Sequence, residues 1–233
     1  MSEPVNTRDL RKEIEAHRGI TATREWQAWS SVHAILLGNE AELLALVDRA
    51  ELSEDGPSGD ALFREILRLL HNYVAAVVTL VDHTRNHMRQ YEDTEVWEQY
   101  QSRLEVVRRR GVSPFMSKLR NYLLHYRVPP IGLTVHYDGQ SKETTVTLFL
   151  ERDKCLEWKD WPTAARAYLA EQPEQISLRV VVREYAVLIE DLYRWLYEQF
   201  TVLHGEDIAA VNALIVRMPH RTLDGSLASP VSD

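Results

Sequence analysis

Apolar side chains recur at every third or fourth position through most of the chain, the period of helices that bury one face. A short amphipathic stretch near Thr7 to Arg18 leads into a longer one from Thr21 to about Ala50. There Trp26, Trp29, Val32, Leu36 and Leu37 form a stripe expected in the core. The polar, Gly- and Pro-rich run from Ser53 to Gly59 predicts a loop, with Asp60 available to cap the next helix. From Ala61 to about Tyr91 there is neither Gly nor Pro. Ile66, Leu69, Leu70, Tyr73, Val77, Leu80 and Val81 keep the helical period, so this segment is expected to be the central helix of a bundle.

A further helix is predicted over Glu95 to Arg110 and ends at Gly111. Ser113-Pro114 then reads as an N-cap followed by a first-turn proline, which starts a new helix at Pro114. Phe115, Leu119, Tyr122 and Tyr126 lie along one face of it, and Pro129-Pro130 ends it. The period then changes. Leu133 to Tyr137 and Thr144 to Leu150 are β-rich runs on either side of Asp138-Gly139-Gln140-Ser141, the composition of a hairpin turn. Thr163 to Ala170 predicts a short helix and Ile176 to His204 a long one, with Val180, Tyr185, Leu188, Leu192, Trp195 and Leu196 inward and Gly205 as its C-cap. Asp207 to Arg217 adds a last helix, and Pro219 to Asp233, without periodicity, reads as a flexible tail. The expected fold is therefore all-α, an up-and-down helical bundle over residues 1–218 as a single domain, with a small β-hairpin insertion near residues 132–151.

The charged and apolar fractions are those of a globular chain, which argues against extended disorder. The N-terminal residues carry no apolar core of the kind a secretory signal needs, and Arg68, His71 and Asn72 interrupt the most apolar window, Ile66 to Val81. Export and membrane insertion are not expected, and a single cysteine, Cys155, fits a reducing cytoplasm and precludes an intrachain disulfide. The net charge of −8 argues against a uniformly basic nucleic-acid coat. The asymmetry is regional: Arg103, Arg108, Arg109, Arg110, Lys118, Arg120 and Arg127 face a single acid, Glu105, within 25 residues of chain.

Within that basic region, Arg120-Asn121-Tyr122-Leu123-Leu124-His125 places an arginine, an asparagine and a histidine on one predicted helix. Asn121 and His125 share a face, Ser117 stands a turn earlier, and Arg120 is about 100° round from Asn121. RNA can be cut without a metal when a base removes the 2'-hydroxyl proton and a cation stabilises the charge gathering on the phosphoryl oxygens. Histidine and arginine are suitable types for those two roles. The segment resembles the signature of the HEPN family of helical ribonuclease and nucleic-acid-associated domains, an Arg followed by a polar residue and then a His four to six residues on. The resemblance implies catalytic roles for Arg120, His125 and Asn121. It also implies a homodimer that brings two copies of the motif to one cleft, and RNA as a partner. Arg108, Arg109, Arg110, Lys118 and Arg127 would bind flanking phosphates. A regulatory protein partner is compatible with it. Some HEPN toxins carry a tyrosine two residues beyond the histidine, where a partner enzyme modifies them. This chain has Arg127 there, and control by that route is not expected.

The same residues admit a plainer role, since arginine and histidine near a helix C-terminus can cap carbonyls and pair with acids. The alternative is then a non-catalytic helical interaction or nucleotide-binding module of the same type. No cofactor or metal is expected. His83 and His87 stand four apart beside Asp82, but Thr84 replaces the glutamate of a His-Glu-x-x-His site. The second Arg-Asn pair, Arg85-Asn86, is followed by Gln90 where the motif has histidine.

Overall fold

The apolar stripes are realised as helices in the structure, a computed structural model that describes residues 6–52, 59–140 and 142–218. Among them the helices are α1 (Thr7–Ala16), α2 (Arg18–Leu52), α3 (Asp60–Met88), α4 (Glu95–Arg109), α5 (Val112–His125), α6 (Arg152–Leu156), α7 (Thr163–Glu171) and α8 (Leu178–Val216). Three antiparallel strands, β1 (Ile131–Asp138), β2 (Glu143–Glu151) and β3 (Gln175–Ser177), form a sheet in the order β1-β2-β3. The protein is a helical bundle with a small β insertion, as its periodicity implies. The arginine-to-glutamate stretch Arg18–Glu51 of α2 is long and apolar enough, by length and composition, to cross a membrane.

Several boundaries differ from the sequence reading, each for a local reason. Asp60 is the first residue of α3, and Gly59, at φ +73°, takes the cap position with no side-chain hydrogen bond. Helix α5 begins at Val112 rather than Pro114, with Ser113 buried inside its first turn instead of capping it. Pro114 is still tolerated because the first-turn N–H groups have no intrahelical acceptor. The long C-terminal helix does not stop at Gly205. Phe200 and Val211, buried on either side of it, hold the flanking turns, so packing outweighs the roughly 1 kcal/mol that a mid-helix glycine costs. At its other end, Ile176 and Ser177 are drawn out of the predicted helix and, with Gln175, pair with β2, Ile176 opposite Leu150. Leu37, Val180 and Tyr126 follow the helical period but are exposed. The predicted loop at 53–58 and tail at 219–233 lie outside the described residues.

The described chain divides into two compact units, residues 6–30 with 195–218, and residues 31–194. In the first, Trp26 packs its ring 4.8 Å from both Tyr197 and Phe200, and Arg18 pairs with Asp207 at 2.6 Å. In the second, Ile66, Leu70, Tyr73 and Val77 of α3 are fully buried, and α5 packs against α3, α4 and α7. The base of the hairpin is tied to the helices by charge. Glu51 accepts from the Leu148 N–H at 3.0 Å and from Arg179 Nε at 2.9 Å. Beside it Gly132 leaves room for the ring of Phe149, which a Cβ there would meet at 2.4 Å. Toward the hairpin tip, Leu133, Val135 and Tyr137 of β1 alternate onto one face and are exposed.

Candidate functional site on helix α5

The position of α5 is set at Gly111, where a Cβ would stand 2.4 Å from the Cβ of Tyr168 on α7. That close approach turns the chain from α4 into α5. The apolar stripe of α5 then sinks into an aromatic cluster: Tyr122 stacks on Trp161 at 5.5 Å and meets Trp158 edge-on at 5.4 Å, while Phe115 lies 5.2 Å from Trp161. Trp161 Nε1 donates to the Cys155 carbonyl at 2.8 Å. Burial, reinforced by nearby Glu151, pushes the Cys155 thiol up to about 12, so this sulfur is a packing group rather than a nucleophile. The Tyr122 hydroxyl is buried without a hydrogen-bond partner among the described residues, and burial raises its pKa well above the usual phenol value.

Arg120, Asn121 and His125 lie off that face. The helix is continuous through His125, so the spacing expected from sequence holds: Asn121 and His125 are neighbours one turn apart. Arg120 and His125 are about 140° apart around the axis and ~7.5 Å apart along it. Arg120 and Asn121 are half-buried and His125 is exposed. Among the described residues none of the three has a side-chain hydrogen bond or ion pair, and the last turn of α5 is closed instead by the Tyr126 and Arg127 N–H groups on the Tyr122 carbonyl.

The flanking basic residues are distributed differently. Lys118 Nζ lies over the Trp158 ring at 5.8 Å. Arg127 covers the Tyr126 ring at 4.4 Å and donates to the Tyr126 hydroxyl and to Glu157, contacts that hold its proton more firmly than usual. Arg109 pairs with Glu105 at 3.0 Å on the α4 surface, Arg110 follows as the α4 C-cap, and Arg108 lines a cavity between helices. Of the five, Lys118, Arg109 and Arg127 are thus engaged within the chain.

Residues that support the site but carry no signal in the motif are Trp158 and Trp161, in the irregular segment between α6 and α7. Their closely spaced tryptophans, Trp158-Lys159-Asp160-Trp161, are the one sequence cue to that role. At the other histidine pair, the Gln90 amide lies 3.0 Å from His87 Nδ1, and no group of three or more His, Cys, Asp or Glu residues that could hold a metal ion occurs among the described residues.

Comparison of the chain with protein-family models, with curated proteins and with solved structures finds no match.

Proposed function

We propose that the protein is a HEPN-like RNA-binding protein that acts as a homodimer and cleaves RNA without a metal. The observation that carries this reading is the state of the motif residues. Arg120, Asn121 and His125 occupy the last two turns of α5 with no intrachain hydrogen bond or ion pair among the described residues, while Lys118 and Arg127 beside them are engaged. A capping or ion-pairing role would leave these groups with partners in the same chain. Their angular spread also supports a two-copy site. Groups about 140° apart on one helix do not converge on one phosphate unaided, and a second α5 facing the first supplies the missing angle. The exposed apolar face of β1, formed by Leu133, Val135 and Tyr137, is suited to cover by a second copy.

In this mechanism His125 of one copy takes the proton from the ribose 2'-hydroxyl as the 2'-oxygen attacks the adjacent phosphorus. The bond from phosphorus to the 5'-oxygen breaks, and the partner's His125 protonates that leaving oxygen. Arg120 stabilises the charge on the non-bridging oxygens and Asn121 orients the phosphate. The products are a 2',3'-cyclic phosphate and a 5'-hydroxyl.

The test is incubation of wild type, Arg120→Ala and His125→Ala with mixed RNA in EDTA, with circular dichroism to verify folding. Cleavage by wild type alone, leaving 2',3'-cyclic ends, is the expected result. Absence of cleavage across several RNA classes, or full activity in His125→Ala, replaces the nuclease with a non-catalytic binding module.

A further inference from the structure

Behind the motif, α3, α4, α5 and α8 enclose a cavity of about 200 Å³, all within residues 31–194. Its walls are apolar, chiefly Leu80, Leu104, Val107, Ile189 and Leu192. Its polar lining includes two guanidiniums, Arg85 and Arg108, together with Tyr100, Ser113 and Ser117, and among the described residues no carboxylate. Tyr100, Ser113 and Ser117 have no side-chain hydrogen bond among the described residues, so their donors are available to the cavity, while Arg108, likewise without one, and Arg85 are exposed and line it from the solvent side. Burial raises the Tyr100 pKa, and both arginines oppose that rise, which puts their positive charge near its phenol.

Size and charge narrow the ligand. A dry apolar cavity of ~150 Å³ holds one benzene ring, so this one has room for a ring or branched chain with a short head group. Asp82 lies 3.3 Å from Arg85 and offsets one of the two positive charges, which leaves a net charge of one, matched to a monoanion. We propose that the cavity binds a small amphipathic carboxylate. Its apolar body lies against Leu104, Val107 and Ile189, and its carboxylate is held at the solvent-facing edge by Arg108 and Arg85.

The site is linked to the motif by helix geometry. Ser113, Ser117 and Arg120 fall within about 60° of one another around α5, so Arg120 continues the stripe that lines the cavity, one turn on. The binding itself is independent of RNA cleavage. Its test therefore stands whether or not the nuclease reading does.

The experiment is calorimetric titration of the full chain with phenylacetate and indole-3-acetate, with 2-phenylethanol as the uncharged counterpart and inorganic phosphate as the anion without an apolar body. At least one carboxylate should bind with a Kd of roughly 10–1,000 µM, the range that some ten heavy atoms support. The alcohol should bind at least about tenfold more weakly, and phosphate not at all at millimolar concentration. Arg108→Gln should weaken the carboxylate about tenfold and Ser117→Leu, which fills the space, should abolish it, while His125→Ala binds as wild type. The proposal is overturned if neither carboxylate binds the folded protein, if phosphate binds equally well, or if Arg108→Gln and Ser117→Leu both leave carboxylate affinity unchanged.

Discussion

The two faces of α5 are built to opposite rules. On one, Phe115, Leu119 and Tyr122 are almost completely buried, and even the charged residues at its border are occupied, Lys118 over Trp158 and Arg127 between Tyr126 and Glu157. On the other, Ser113, Ser117, Arg120, Asn121 and His125 keep side-chain donors without a partner among the described residues. A face that only had to be soluble would not need a buried serine or half-buried, unpaired arginine and asparagine, since burying unsatisfied polar groups costs stability. The contrast teaches that the aromatic face fixes where α5 sits, and the polar face is what that placement presents.

The largest effect should follow from breaking the aromatic face. Trp161→Ala removes a ring that touches Phe115, Tyr122 and Trp158 and a hydrogen bond to the Cys155 carbonyl. Loss of about 3–5 kcal/mol in urea denaturation is expected. A loss under about 1 kcal/mol would show that the cluster does not anchor the helix. Next in size is Gly111→Ala, where the new Cβ meets Tyr168 and the neighbouring Ala164 carbonyl, so α5 must shift against α7. About 1–3 kcal/mol should be lost by the same measurement. RNA binding or cleavage should fall more than stability alone explains, because the polar face moves with the helix.

How much of this was legible in sequence depends on distance along the chain. The helical periods of α3 and α5 and the alternation in the hairpin are local patterns, and they gave the bundle and its insertion correctly. The motif residues and the one-turn spacing of Asn121 and His125 are equally local. What escaped is nonlocal. Arg127 meets Glu157 thirty residues later, and Ile176 leaves a helical pattern to pair with Leu150. Trp158 and Trp161 sit in a segment without period, so their claim on Tyr122 had no signature. The role of Ser113 likewise depends on α3, α4 and α8 closing around it, and from sequence it resembled a cap.

The smallest effect sharpens the comparison most. Arg120→Ala and His125→Ala should each change stability by no more than about 0.5 kcal/mol, since neither side chain makes an intrachain hydrogen bond or ion pair among the described residues and His125 is exposed. The apolar stem of Arg120 sets the upper end of that range through the packing it loses. If either substitution instead costs more than about 1 kcal/mol, that residue is a structural part of α5 and any loss of activity has a second explanation. If both are silent in denaturation yet abolish RNA cleavage, the difference must arise at the substrate or in a second copy of the chain. Sedimentation of the same variants separates those two: a dimer that persists in His125→Ala assigns the loss to substrate chemistry, and one that dissociates assigns it to assembly.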